Sequence, residues 1–217
     1  MSARLGVVRS LSALAFALLP LVAVAAPSST DTRLDFTVLR DGRTIGHHQI
    51  GLSREGDSEA VSIRTDILVR VASVPVYRFE QSGSEFWRNG HLVSLNSQTN
   101  DNGDRHTLAV TAEADRVEVI KDGSHSQVRK GIMPASLWNS DLVNQVVLLN
   151  PQNGQPVSVS VAYLGEDTIR SRGADTRVRH YRVTGELQRE LWYDPLGTLV
   201  QVEFKAIDNS SILFVLE

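Results

Sequence analysis

The histidines His47, His48, His91, His106, His125 and His180 are the first side chains to weigh for chemistry. His47 and His48 adjoin each other on a stretch that reads as a strand, so they point to opposite faces and cannot serve one metal. None of the set shows the HExxH or His-x-His spacing that brings two imidazoles together, so they read as scattered surface and half-buried histidines, and no metal site is expected. A nucleophilic hydrolase needs a serine on a sharp turn with a base in reach, and no Gly-x-Ser-x-Gly occurs. Gly123-Ser124-His125-Ser126 has suitable residue types, but it follows Asp122 in what reads as a hairpin turn. Asn100-Asp101-Asn102-Gly103-Asp104 resembles half of a calcium loop without its closing glutamate or flanking helices, and a turn between strands accounts for it. Glu80 and Glu85, with Asp66 and Arg64 on a neighbouring strand, offer a paired-carboxylate site, although cross-strand arginine–carboxylate pairs on a wet face explain them equally. No catalytic residue and no cofactor is assigned.

The aromatic residues are more informative. Trp87, Trp138 and Trp192, together with Phe86, Tyr163, Tyr193 and the smaller set Tyr77, Phe79 and Tyr181, come from apparent strands and from one helix-like stretch. On a curled sheet such rings would share the concave side with Val and Ile and line an apolar groove. Tyr77, Phe79, Trp87, Trp138, Tyr181 and Trp192 are therefore the candidate ligand-lining residues. The plainer alternative is an ordinary core under a lid.

The elements that must position these residues are strands. From Glu59 to Ser73 the odd positions are Val61, Ile63, Thr65, Ile67, Val69 and Val71, while the even ones include Ser62, Arg64, Asp66 and Arg70. That alternation buries one face and wets the other, as in an antiparallel sheet. The same period of two recurs in Leu34-Phe36-Val38, Leu108-Val110-Ala112, Val157-Val159-Val161-Tyr163 and Val200-Val202-Phe204-Ala206. A helix would scatter these residues around its axis. Asp41-Gly42, Glu55-Gly56-Asp57, Asn89-Gly90, Asp101 to Asp104, Asp122-Gly123, Asn153-Gly154 and Pro195-Leu196-Gly197 supply the tight turns of hairpins. Up-and-down strands are expected at 34–40, 44–53, 59–73, 76–88, 91–99, 105–113, 116–121, 124–130, 156–164, 167–172, 176–184, 188–194, 199–207 and 211–216. Gly131 to Leu149 breaks the pattern. There Pro134 could open a short helix near residues 133–146, with Ser140-Asp141 capping a second turn through Leu142, Val143 and Val146, and the stretch should cross the sheet or close one end of it.

So many strands cannot stay flat and open, and the fold class expected is mainly β: one large curled antiparallel sheet, a half-barrel or open barrel, with one short helical segment. Gly46 and Gly83 are where bulges are expected, the second because apolar parity changes from Tyr77 and Phe79 to Phe86. With no fixed-period repeat or low-complexity linker, a single domain over 26–217 is the simplest organisation.

Length and charge bound the setting. The 217 residues contain no cysteine, which excludes a disulfide framework and thiolate metal sites. The formal charge of −3 leaves no basic footprint for nucleic acid. Arg4 and Arg9, the uncharged run Leu11 to Ala26, and small residues at Ala23 and Ala25 have the layout of a secretory signal peptide over residues 1–25. Cleavage is expected after Ala25, because a cut after Ala26 would put Pro27 next to the scissile bond. Without Arg4 and Arg9 the charge becomes about −5. No later apolar run is long enough to span a bilayer, so no transmembrane segment is expected in the mature chain and the location expected is periplasmic.

Several stretches carry a likeness to a family. These are Ile67-Leu-Val-Arg-Val-Ala-Ser-Val-Pro-Val-Tyr-Arg-Phe-Glu80, Glu85-Phe-Trp-Arg-Asn-Gly90, Gln98-Thr-Asn-Asp-Asn-Gly103, Ser136-Leu-Trp-Asn139, Leu148-Leu-Asn-Pro-Gln152 and Leu191-Trp-Tyr-Asp194. In order and spacing they resemble the exported bacterial domain-of-unknown-function family 6134, over nearly all of the mature chain. The resemblance implies a bacterial, periplasmic setting and no established activity. It also implies that some relatives carry cysteines near the positions of His91 and Gly131; this chain has none, so no role of such a pair transfers. In architecture alone, the late Leu-Trp-Tyr-Asp hairpin is similar to the half-barrels of periplasmic lipoprotein carriers, and fold does not decide function.

The leading functional expectation is a non-enzymatic periplasmic protein holding a lipid or other apolar or amphipathic ligand in the concave face. The alternative is an envelope protein-interaction module that offers a sheet edge, with His91 to Asn100 as the edge strand, and a hydrolase ranks third.

Overall fold

The computed structural model describes residues 30–217, so the expected signal peptide over 1–25 and its cleavage site lie outside the described residues. Alternating apolar residues and paired turn residues generate eight consecutive hairpin-linked strands: β1 (Thr30–Arg40), β2 (Arg43–Glu55), β3 (Ser58–Val71), β4 (Val74–Arg88), β5 (His91–Asp101), β6 (Asp104–Ala112), β7 (Arg116–Lys121) and β8 (Ser124–Arg129). The second half contains β9 (Met133–Pro134), β10 (Val147–Leu149), β11 (Pro156–Ser171), β12 (Ala174–Gly185), β13 (Arg189–Tyr193), β14 (Leu199–Lys205) and β15 (Ser211–Leu216). At the turns Asp41-Gly42, Asn89-Gly90, Asn102-Gly103 and Asp122-Gly123, both central residues have positive φ. That is the turn whose twist matches the flanking strands.

All strands belong to one sheet in the order β8-β7-β6-β5-β4-β3-β2-β1-β15-β14-β13-β12-β11-β10-β9. Every neighbouring pair is antiparallel except β9 with β10. The first and last strands meet in the middle, Phe36 opposite Leu216. The outermost strands β8 and β9 do not pair with each other, so the curled sheet stays unclosed. Strand twist accumulates over a sheet this wide and coils it around its own apolar face.

What fills the coil is the segment Gly131 to Gln155. Ile132, Trp138, Leu142, Leu148 and Leu149 are buried in one continuous cluster with Leu34, Phe36, Ile50, Val61, Leu95, Leu108, Val119, Leu191 and Tyr193. The segment touches both halves of the sheet: the Ser97 hydroxyl donates to the Pro151 carbonyl at 2.6 Å, and the Tyr193 hydroxyl donates to the Leu137 carbonyl at 2.7 Å. It packs against the apolar face of the sheet and adds β9 and β10 to one edge.

Several expectations need correction. The helix is a single 3-10 turn, Ser140–Asn144, and Pro134 lies in β9 instead of opening it. Its cap is Asn139, whose Oδ1 accepts the Asp141 N–H at 2.9 Å, because Asn139 keeps the extended backbone that a cap requires. The expected strands 156–164 and 167–172 are one strand, β11. Between Tyr163 and Gly165 the register shifts by one residue, so the break in alternation is a bulge and not a turn. Gly46 does face a bulge between Val38 and Leu39, and a Cβ there would lie 2.0 Å from the Asp66 carbonyl. Gly83 is not bulged: it pairs regularly with Ile63 and Ser97, and Tyr77, Phe79, Gln81, Glu85 and Trp87 keep its parity. The β4–β5 register shifts instead three residues further on, between Phe86 and Trp87, where Val93 of β5 is the extra residue. The proposed edge His91 to Asn100 is interior to the sheet, hydrogen-bonded to β4 on one side and β6 on the other.

Candidate functional site

Above the segment that plugs the coil, the concave face encloses a cavity of about 750 Å³. Alternate residues of β3 and β4 supply one wall: Ile63, Thr65, Ile67 and Val69, then Tyr77, Phe79, Gln81 and Gly83. The other wall comes from β13 to β15 and their loops, with Arg189, Leu199, Val202, Phe204, Ile212 and Phe214. Ser136, Leu137 and Pro151 of the plugging segment form the floor. This volume lies within the usual range for small-molecule sites, as does a mostly apolar lining with a few polar groups.

The polar groups are specific. Glu85 reaches the floor with only 4 % of its surface exposed. The indole N–H groups of Trp87 and Trp138 both donate to its Oε2, at 2.8 and 2.9 Å, and the Ser136 hydroxyl donates to Oε1. The indole rings meet edge to face, with centroids 5.5 Å apart. Burial pushes the Glu85 carboxyl above the usual carboxylate range, and the hydrogen bonds from Ser136, Trp138 and Trp87 oppose that shift without cancelling it.

His48 projects inward from β2, between the rings of Phe36 and Phe214, with Nδ1 2.8 Å from Thr65 Oγ1. Burial lowers it from 6.5 to about 4, so the imidazole in the cavity wall is neutral at physiological pH. Tyr77, at the rim, is raised by burial and by its hydrogen bond to Asp101. Beside it Val71, Val74 and Val76, on the β3–β4 hairpin, stand exposed. Arg189 lies with its guanidinium carbon 3.8 Å from the centre of the Phe204 ring.

Tyr77 and Phe79 of the proposed lining set face the cavity. Trp87 and Trp138 are brought together, but buried beneath the floor as the Glu85 clamp. Tyr181 packs between Tyr163 and Tyr193, and Trp192 stacks on His180 with ring centroids 4.3 Å apart. Glu80 and Glu85 fall on opposite faces, since they differ by an odd number of residues along one strand, so the paired-carboxylate site does not form. Glu80 points outward and accepts from Arg78 and, at 2.9 Å, from Asn100. Ser124 and Ser126 flank His125 in the β7–β8 hairpin, where His125 lies 2.9 Å from Glu118. In the Asn100 to Asp104 run, the Asn100 side chain accepts the Gly103 N–H at 3.0 Å, closing the β5–β6 turn. Among the described residues no three His, Asp or Glu side chains converge to hold a metal ion. Arg189 was missed, and Glu85 and His48 were weighed only for a carboxylate pair and a metal site, although parity held the signal: each falls in step with apolar residues of its own strand.

The coil with its internal cavity places the chain in a recognisable structural class. Its fold is similar to that of a beta-barrel-like protein of the domain of unknown function DUF1849 from Brucella abortus, at a TM-score of 0.64 and 10% identity over 89% of this chain and 97% of that one. Residues 36–217 match the family described as a domain of unknown function, DUF6134, and the chain belongs to it. No curated protein matches the chain. Among the described residues no helix is long and apolar enough to cross a membrane.

Proposed function

We propose that this is a periplasmic binding protein that holds an apolar or amphipathic ligand, of lipid type, in the concavity of its curled sheet. The observation that carries the reading is the cavity of about 750 Å³ walled by Ile67, Val69, Phe79, Val202 and Phe214 and left unfilled by the plugging segment. An apolar lining of that extent is removed from water when an apolar ligand enters, which favours binding. The signal-like N-terminal stretch supports the location.

Gly83 provides the test. A Cβ on this residue would make only ordinary contacts, 3.5 Å from the Asn96 carbonyl at the nearest, and would point into the cavity. Gly83→Leu should therefore fold and take up part of the cavity. Native mass spectrometry of protein from the periplasm of its own host should show a co-purifying small molecule with the wild type and a smaller bound fraction with Gly83→Leu. A wild-type protein that carries nothing and binds no amphiphile offered to it would overturn the reading.

A further inference from the structure

We infer that the cavity takes an amphiphile with an anionic head, and that Arg189 receives that head; the inference rests on the ligand-holding reading above and specifies the ligand's chemistry. Arg189 is the first residue of β13 and faces the cavity in step with Leu191 and Tyr193. One face of its guanidinium is covered by Phe204, which leaves the in-plane N–H groups as its binding edge. Among the described residues the one acceptor it finds is the Gln188 carbonyl, 2.7 Å from Nη1, so most of its five N–H donors are uncommitted. It has no carboxylate within ion-pair distance among those residues, although acidic groups line the same cavity. Each of those is engaged elsewhere. Glu186 accepts the Ser158 backbone N–H at 2.7 Å, Asp208 pairs with Arg40, and Asp101 accepts the Tyr77 hydroxyl. Glu85 is held by its two tryptophans and Ser136.

A cation placed against an apolar wall without a counter-charge carries an unrelieved desolvation cost. Burial lowers Arg189 to about 10, which leaves it charged at neutral pH. A carboxylate or phosphate matches the planar donor edge and relieves that cost, while an alkyl chain meets Ile67, Val69, Phe79 and Phe214. A neutral lipid would satisfy the walls and leave the guanidinium as it is.

Calorimetric titration with dodecanoate and dodecyl phosphate below their micellar concentrations, and with dodecanol below its solubility limit, separates these possibilities. The wild type should bind at least one anionic probe about tenfold or more tighter than dodecanol. Arg189→Met, which keeps the apolar stem, should bind dodecanol as the wild type does and lose the preference. Arg189→Lys should keep part of it and serves if the methionine variant does not fold. Tighter binding of dodecanoate or of dodecyl phosphate identifies the head as carboxylate or phosphate. Equal wild-type affinity for all three probes would overturn the anionic head and leave the cavity reading standing. A preference that survives both substitutions would remove Arg189 from the role. Failure of every probe to bind would count against the cavity reading itself.

Discussion

Glu85 sits among three donors with no cation beside it among the described residues, which makes its ionised form expensive. Because the folded state raises its pKa, its contribution to stability is greatest below the unfolded carboxylate range and is lost as pH rises through the folded value. Glu85→Gln can accept from both indoles through its carbonyl and donate to Ser136 through its amide. It should hold stability within about 1 kcal/mol at neutral pH and flatten the loss on the alkaline side. Glu85→Ala orphans all three donors and should cost about 2–4 kcal/mol in urea unfolding. His48 acts with the opposite sign. Its folded pKa is lowered, so its contribution is complete above 6.5 and is lost as pH falls through about 4. The shift corresponds to about 3 kcal/mol between neutral and acid pH. His48→Asn keeps a polar atom near Thr65 and should flatten the acid limb of a stability-against-pH curve by about that amount, whatever its effect at pH 7.

At the scale of elements, the segment from Gly131 to Gln155 decides whether the coil is a shell or a packed body. Gly154 is where it presses hardest on the sheet. Its φ is +70°, and a Cβ would approach Val119 Cγ1 to 2.4 Å and Leu108 Cδ1 to 2.8 Å. Gly154→Ala therefore combines a left-handed backbone with a clash against β6 and β7, and should lower stability by about 2–4 kcal/mol. Thermal melts should show that loss, and hydrogen exchange should show the plugging segment opening before β1 and β15. The hairpins themselves were legible, because Asp-Gly and Asn-Gly state their turn type locally. The β11 bulge was not, since one extra residue at Leu164 breaks alternation just as a turn would. β9 and β10 were also missed. With two and three residues, they are too short to show a period, and they exist because neighbours offer them hydrogen bonds.

For the molecule as a whole, alternation and turn chemistry alone determined that the chain is a meander of antiparallel strands that must curl. They were sufficient because side-chain direction in a strand and φ at a turn are set by residues within a few positions of one another. The likeness to a family of unknown function rested on the same local stretches, and residues 36–217 match that family. Tertiary structure decided the rest. It placed β1 against β15, so that the two ends of the described chain form the middle of the sheet. It left β8 and β9 apart, turned Trp87 and Trp138 into a clamp on a buried carboxylate, and set Arg189 against Phe204 in the cavity wall. These outcomes depend on the twist accumulated over the whole sheet and on a segment folded back inside it. No short stretch encodes the space left where the two do not meet.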